Sequence, residues 1–580
     1  MADQPPSPMS VEHPPGASAS NDAGSLASRS RPAAGARFAA LAAVVVVLGL
    51  TLVQLYRANR LCHGEFTYST DAAYQHLTAA RQLVDAGPQA WSGDASFART
   101  MSASAAWGWT ILLAGLMRLP WLSAEAAVGG GGAAMLPAAA NMAFAAALLL
   151  IAGHLLRREC SAGAMFGGLV LLSVLTPAPA LVLAGTEWPA RAVFVLLAAA
   201  ACIGLIERDD AGVGSVAKAT LAVALMMLMG HEGLIVLLAI ALWAIGQRRL
   251  RRMWLPLATA TLLVGVMGVV VFKGGGWIAP NAWAIWWADT KAQLGREGIG
   301  YFYSGFLGSL ATVVSLFALV AVALLWMRRA DAASTKADDR ERAAWLFVYI
   351  VTALVHVALV RGEPLAASAW LMPMGFVAVG RGMARGAASP TESRKGLVLV
   401  VLACLVPIVL IAMPSLRLTI DAPDRCADAW KTDRAVASFV RTFFPNGPVA
   451  ATRCGLLTFD TNARVVDLRG LHDPQVALAR VRGDYTVDYV TQRTTGAGVQ
   501  IVLEDSDRVL PVGGVAAWRS IGGWCTPSDH WRIQLWAANP GMDQDARIAL
   551  RLAAERAPAG VEHWFAGHAG GPPETASGPG

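Results

Sequence analysis

Ionisable side chains are costly at membrane depth, so in a strongly apolar chain they are the first places to look for chemistry. Four carboxylates stand near the ends of apolar runs: Asp71 in the loop after the first run, Glu187 and Glu232 each at the start of a run, and Glu363 between two runs. His231 precedes Glu232, and Lys273 and Lys291 lie between two apolar runs. Gathered around one cavity, these groups would make a polar site on a hydrophobic floor. Asp71 sits in Tyr68-Ser69-Thr70-Asp71-Ala72-Ala73-Tyr74, ahead of an amphipathic stretch running to about Asp85. A carboxylate near a low-dielectric surface can have its pKa raised toward working pH and take a proton from a hydroxyl nucleophile. It can equally do no more than cap the helix it starts. Glu187 has the same bland reading as a helix-start acid, and His231 and Glu232 can simply satisfy each other. Lys273 can snorkel to the headgroups, and Asn281 can cap a turn after Pro280.

The elements that must hold these residues follow from composition. The chain has 580 residues, 55% hydrophobic and only 15% charged, with a mean hydropathy of +0.48. That excludes a soluble enzyme, a disordered protein and a disulfide-rich mini-scaffold. The net charge of +7 suits cytoplasmic loops better than nucleic-acid binding. No Gly-rich phosphate loop follows a strand pattern, and no cysteines stand at zinc spacing.

A bilayer core needs about 20 helical residues. Runs near that length fall at 38–56, 135–156, 163–183, 188–206, 253–272, 305–327, 343–360, 365–381 and 395–413. Two shorter ones, 217–230 and 232–247, flank Gly230-His231-Glu232. The expectation is therefore a polytopic α-helical membrane protein of about eleven spans. The apolar piece 104–119 is read as an interfacial or re-entrant helix. With the N-terminus in the cytoplasm, the five short inner loops hold 17 Lys and Arg and the four short outer loops hold 4. That is the positive-inside bias, and a twelfth span at 104–119 would invert it. The first run has no cleavage site after it and reads as a signal anchor.

This map divides the chain into a disordered cytoplasmic tail (1–36), a transmembrane domain (37–413) with a periplasmic first loop (57–134), a small periplasmic α/β domain (414–565) and a disordered tail (566–580). Cys62, Cys426, Cys454 and Cys525 fall outside, where a Cys426–Cys525 or Cys426–Cys454 bridge can form and free buried thiols are the alternative. Trp277, Trp283, Trp286 and Trp287 read as an interfacial belt. Most tryptophans of the last domain read as core, and Asp467 and Asp473, flanking Gly470, as a turn.

In this order the pieces resemble the GT-C glycosyltransferases, above all bacterial arabinofuranosyltransferase-like members with a C-terminal extracytoplasmic domain. Asp71-Ala72…Ala80-Arg81-Gln82-Leu83…Gly87 resembles their first-loop motif. Ser104-Ala105-Ala106-Trp107 is similar to Thr-Ser-Pro-Leu-Trp, Gly185-Thr186-Glu187 to Gly-Leu-Glu, and Gly230-His231-Glu232-Gly233 to Arg-Pro-Glu-Gly. Pro280-Asn281 with Lys291 is similar to Pro-Asn-Thr followed by Lys, and Asp467 to Pro474 to the Asp-Leu-x-Gly-Leu-x-Asp-Pro of the C-terminal domain. The family's two acids are Thr70-Asp71 here, and its Gly-Gly-Asp with a later Arg is Arg361-Gly362-Glu363 with Ser368 and Ala369.

The resemblance implies an inverting transfer of sugar from a polyprenyl-phosphate donor to an envelope glycan or lipid acceptor. It would take place at the outer face of a bacterial plasma membrane, among membrane lipids and without nucleic acid. Asp71 would be the base. Arg81, Glu187, His231, Glu232, Asn281, Lys291 and Glu363 would bind substrate, and a divalent cation, Mg or Mn, is a candidate cofactor on the acids. Two other classes stay open. A catalytically inactive scaffold or glycan-binding protein would scatter these residues. A lipid or sugar transporter would place charges mid-span and show internal repeats.

Overall fold

The computed structural model describes residues 31–86, 95–104, 106–119, 134–157, 159–209, 211–275, 277–298, 300, 336–359, 369–386, 394–505, 515, 517–525, 532–557, 560–566 and 574–576. Glu363 and the expected span 305–327 lie outside them.

The chain opens with α1 (Arg31–Leu61), which starts inside the stretch read as tail. Then come α2 (Asp71–Asp85), α3 (Ala95–Ala103), α4 (Trp107–Met117), α5 (Leu136–Leu156), α6 (Ala162–Leu175) and α7 (Ala178–Ala184). They are followed by α8 (Trp188–Glu207), α9 (Val213–Met229), α10 (Gly233–Gly246), α11 (Trp254–Lys273), α12 (Asn281–Glu297), α13 (Lys336–Leu359) and α14 (Met372–Gly386). Five of the described helices are long and apolar enough to cross a membrane, or six if the bent pair α6–α7 is one span. Helices serve here because lipid offers no partner for a backbone amide, and a helix satisfies its own. At 20 residues, α8 is about 30 Å long, the thickness of a bilayer core. It is the centre of the bundle, packed by α5, α9, α10 and α13. The bundle's core includes Trp345, Tyr349 and Trp370.

The 11-residue α4, expected as an interfacial or re-entrant helix, is packed within the protein: Trp109 and Leu113 are fully buried, and the helix packs against α2 and α9. The last apolar run does not end at 413. It continues as one helix, α15 (Arg394–Ala429), for 36 residues. That is about 54 Å, well beyond a bilayer core, so part of α15 must project from the apolar bundle. A π-helical turn over Trp430–Arg434 carries it into α16 (Ala435–Phe443).

The domain beyond is built on β1 (Val449–Ala451), β2 (Val465–Asp467), β3 (Ile501–Asp505), β4 (Arg519–Cys525), β5 (Arg532–Ala537), β6 (Glu562–Phe565) and β7 (Glu574–Ala576). Their order is β2-β1-β3-β5-β4-β6-β7. The β2-β1-β3 part is parallel and the rest antiparallel. Its helices are α17 (Gly455–Asp460), α18 (Pro474–Arg482), α19 (Val487–Gly496) and α20 (Asp543–Glu555). β7 falls in the stretch read as tail and pairs with β6. One face of the sheet is covered by α16 and α20, and the other carries a second core with Val490 and Trp518. The six described cysteines are free thiols.

The domain rests on one end of the bundle. There α17 packs on α2, and α18 packs on α12.

Candidate functional site at the domain-facing end of the bundle

Helix α2 lies across this end of the bundle. Its apolar residues Ala73, Tyr74, Leu77, Ala80 and Leu83 are buried, at the spacing that puts them on one face. His76 is buried with them. Gly185, after α7, lets the chain reverse beneath α2. Its φ is +69°, and a Cβ there would stand 2.5 Å from the Tyr68 ring.

The turn at Gly185 delivers Glu187 to the start of α8, and a chain of ionisable groups begins there. His76 Nε2 stands 3.2 Å from Glu187 Oε2. Arg191, one turn into α8, donates from Nη2 to Glu187 Oε1 at 2.5 Å and from Nη1 to Glu232 Oε1. Its Nε donates to the Met229 carbonyl at 3.3 Å. His231 Nδ1 lies 3.4 Å from Glu232 Oε2. Glu187, Arg191 and Glu232 are each less than one-tenth exposed. On the far side, the His76 ring meets Thr110 Oγ1 at 3.2 Å, and Thr110 meets Ser104 at 2.8 Å. Thus His76, Glu187, Arg191, Glu232 and His231 form one continuous path, buried up to Glu232 and partly exposed at His231. Four buried polar atoms beside it have no hydrogen-bond partner: Thr186 Oγ1, Asn141 Oδ1, Trp283 Nε1 and His356 Nδ1. Unpaired polar atoms in such a place are a reason to look for a ligand.

Helix α12 closes the side of this cluster. The His231 ring lies 4.5 Å from that of Trp283 and 6.4 Å from that of Trp286. These two rings face the cluster, whereas Trp287 is exposed, as a belt residue would be. Asn281 is buried and donates to the Leu471 carbonyl of the sheet domain at 3.0 Å. Lys291 is exposed, eight residues beyond Trp283, about 12 Å along the helix. Lys273 is exposed at the end of α11.

Asp71 stands elsewhere. Its Oδ2 and Oδ1 accept hydrogen bonds from the backbone amides of Gly455 and Leu456, both at 3.1 Å, and Gln75 donates to Oδ2 at 3.0 Å. The carboxylate therefore caps α17 of the sheet domain. Thr70 makes no side-chain cap to α2. Only glycine fits at 455, since a Cβ there would come within 2.3 Å of the Asp71 carbonyl oxygen. Arg81, one face further along α2, donates to the Phe459 carbonyl at 3.0 Å and lies 4.2 Å over the Phe459 ring. It too holds the domain junction.

Behind Asp71 lies a cavity of about 20 Å³, lined in part by Asp433, Thr452, Arg453 and Asp505. That is room for roughly one water. Arg453 Nη2 reaches Asp433 at 2.8 Å, and Nη1 lies 3.8 Å from Asp505. Burial pushes the Asp433 carboxyl up to about 7. Arg453 opposes this, and the charges of Asp71 and Asp505 reinforce it. In the sheet domain, Asp467 accepts from the amides of Arg469, Gly470 and His472, and Asp473 caps α18. Both acids hold turns. Among the described residues, no three His, Cys, Asp or Glu side chains are arranged to hold a metal ion.

The structure thus brings Glu187, His231 and Glu232 together and puts Asp71 and Arg81 at the domain junction. Asn281 bridges the two regions. Two members of the cluster, His76 and Arg191, are missing from the sequence-based set. Arg191 had a signal: an arginine four residues after an acid, inside an apolar run, is too costly to be idle. His76 had only its place on the apolar face of α2.

A family model described as a domain of unknown function (DUF8728) matches residues 425–547, the end of α15 and most of the sheet domain. No curated protein sequence matches the chain. Among solved structures, the chain is similar to ArnT from Cupriavidus metallidurans in two crystal structures. One is in the apo state (14% identity, TM-score 0.45) and one is bound to undecaprenyl phosphate (13%, 0.44); each match covers 87% of this chain and 98% of ArnT. It is also similar to the archaeal oligosaccharyltransferase AglB from Archaeoglobus fulgidus, in complex with an inhibitory peptide and a dolichol-phosphate. That match has 10% identity and a TM-score of 0.40, over 86% of this chain and 74% of AglB. At TM-scores under 0.5 the likeness is loose and places no side chain.

Proposed function

We propose that this protein is a GT-C type integral-membrane glycosyltransferase. It moves a sugar from a polyprenyl-phosphate donor to an envelope glycan or lipid acceptor, with inversion, on the periplasmic face where the sheet domain sits. The observation that carries the reading is the path from His76 to His231, set at the domain-facing end of an apolar bundle and flanked by unpaired polar atoms. The order of sequence motifs between Asp71 and Pro474 supports it independently. An acceptor hydroxyl gives its proton to a carboxylate as its oxygen attacks the anomeric carbon. The bond to phosphate breaks on the opposite face, and the phosphate leaves with the electron pair. Lys291, Lys273 and His231 are the candidate cations for that leaving charge. A divalent cation held by oxygen ligands is the alternative. Asp71 remains the proposed base. Asp71 is half-buried, and an acceptor hydroxyl would have to displace the amides of Gly455 and Leu456 from its oxygens.

The test is the envelope glycan composition of a host lacking the gene, complemented with wild type or with Asp71→Asn. One sugar is expected to disappear and to return only with wild type, the mutant being slower by about 10²–10⁴-fold, as for loss of a general base. Equal restoration by Asp71→Asn would make Asp71 a cap and no more. One observation favours a second reading, that of an inactive scaffold or glycan-binding protein: both oxygens of Asp71 are already engaged. Under that reading no sugar is lost at all.

A further inference from the structure

Two adjoining cavities lie where α1 meets the sheet domain, away from the buried acids. The larger, about 580 Å³, is lined mainly by Leu52, Leu55, Tyr56, Phe66 and Met135. The smaller, about 280 Å³, has Trp430, Ser438 and Thr442 with the guanidinium groups of Arg434, Arg441 and Arg556. Glu65 and Arg434 line both, joined by an ion pair of 2.7 Å at the neck between them. The larger cavity is therefore mainly apolar, and the smaller sets three arginines among apolar side chains such as Phe439, Phe443 and Trp524, Arg434 paired with Glu65 and Arg441 with Asp460.

We infer that this groove holds an anionic glycerophospholipid of the surrounding bilayer, its acyl chain along α1 and its phosphate among Arg434, Arg441 and Arg556. Charge and continuity both select this occupant. The apolar half runs out onto the uncovered side of α1, where Leu52, Val53 and Tyr56 are more than half exposed, so a lipid can enter sideways. Guanidinium groups suit phosphate oxygens, which they meet with paired N–H donors. Arg441 reaches Asp460 through one contact of 3.3 Å, and Arg556 has no ion-pair partner among the described residues, so both have donors to offer. Trp430 is held in the wall by its indole N–H, which points to Glu65 at 3.4 Å. The inference stands whether or not the chain transfers a sugar.

The experiment is native mass spectrometry of the detergent-purified full chain, offered phosphatidylglycerol and phosphatidylcholine in equal amounts. Wild type is expected to retain phosphatidylglycerol preferentially. The double variant Arg441→Gln/Arg556→Gln should lose that preference by about fivefold or more, the effect of roughly 1 kcal/mol. Tyr56→Ala should weaken retention of phosphatidylglycerol. Arg551→Gln, on α20 and outside the groove, should leave the preference unchanged. Equal retention of the two lipids by wild type overturns the inference, and so does a preference that survives in a double variant melting at the wild-type temperature. Displacement of phosphatidylglycerol by glycerol 3-phosphate alone also overturns it, since the apolar half would then contribute nothing.

Discussion

Two buried ionic clusters share one helix. Asp71 opens α2 and serves the junction with the sheet domain, while His76, about 7.5 Å further along, serves the bundle. In the bundle, Arg191 lies between two carboxylates, and an imidazole stands beside each of them. At the junction, Arg453 faces Asp433 and Asp505 with Asp71 close by, and no imidazole lines the cavity. Acid is in excess there, and burial makes the excess costly. The relief available is a proton on Asp433, whose carboxyl titrates at about 7. In the bundle cluster each acid meets the Arg191 guanidinium. The junction is built so that its charge depends on pH.

The largest effect should follow from breaking the first cluster. Arg191→Met leaves Glu187 and Glu232 buried without their shared cation, at a cost of about 3–5 kcal/mol. Thermal unfolding of the purified protein would show it, and an unchanged melting temperature would mean that water already reaches these acids. Next comes Gly455→Ala, whose Cβ has no room beside Asp71. We expect about 1–3 kcal/mol, the cost of overpacking, and preferential proteolysis between α15 and α17. Asp71→Ala removes the cap of α17 for about 1 kcal/mol, and the amides of residues 455–460 should exchange faster with solvent. Exchange confined to α2 instead would assign the carboxylate to its own helix. The most diagnostic change is Asp433→Asn. The folded-state pKa of Asp433, about 7, stands above the ordinary 3.8, so between those values the folded state binds more protons than the unfolded. Its contribution to stability therefore falls as pH rises from about 4 to about 7 and is fully lost above that. Asp433→Asn should flatten that slope in melting curves taken across the same range, and an unchanged slope would move the titration to another group.

Much of the architecture was readable from the chain alone. A run of 20 apolar residues has few ways to satisfy its amides in lipid, so α5, α8 and α11 appear close to where hydropathy puts them. Glu187 and Glu232 stood out because an acid at the edge of such a run is costly and must be held by something. The continuation of α15 to Ala429 was not readable, because composition changes at 413 while helix geometry does not. Burial of α4 was not readable either, since an apolar 11-mer looks the same under α2 as on a bilayer surface.

Local sequence thus determined which groups are ionisable, which runs are apolar and which turns need glycine, because each depends on a residue and its near neighbours. Tertiary structure decided which charges meet. Arg191 finds Glu232 from 41 residues away, and Asp71 finds the amides of Gly455 and Leu456 from across the chain. Asp71 looks the same in sequence whether it caps its own helix, caps another or takes a proton. Its partners in the sheet domain are backbone amides, which every residue but proline carries, so no pattern of side chains could announce them.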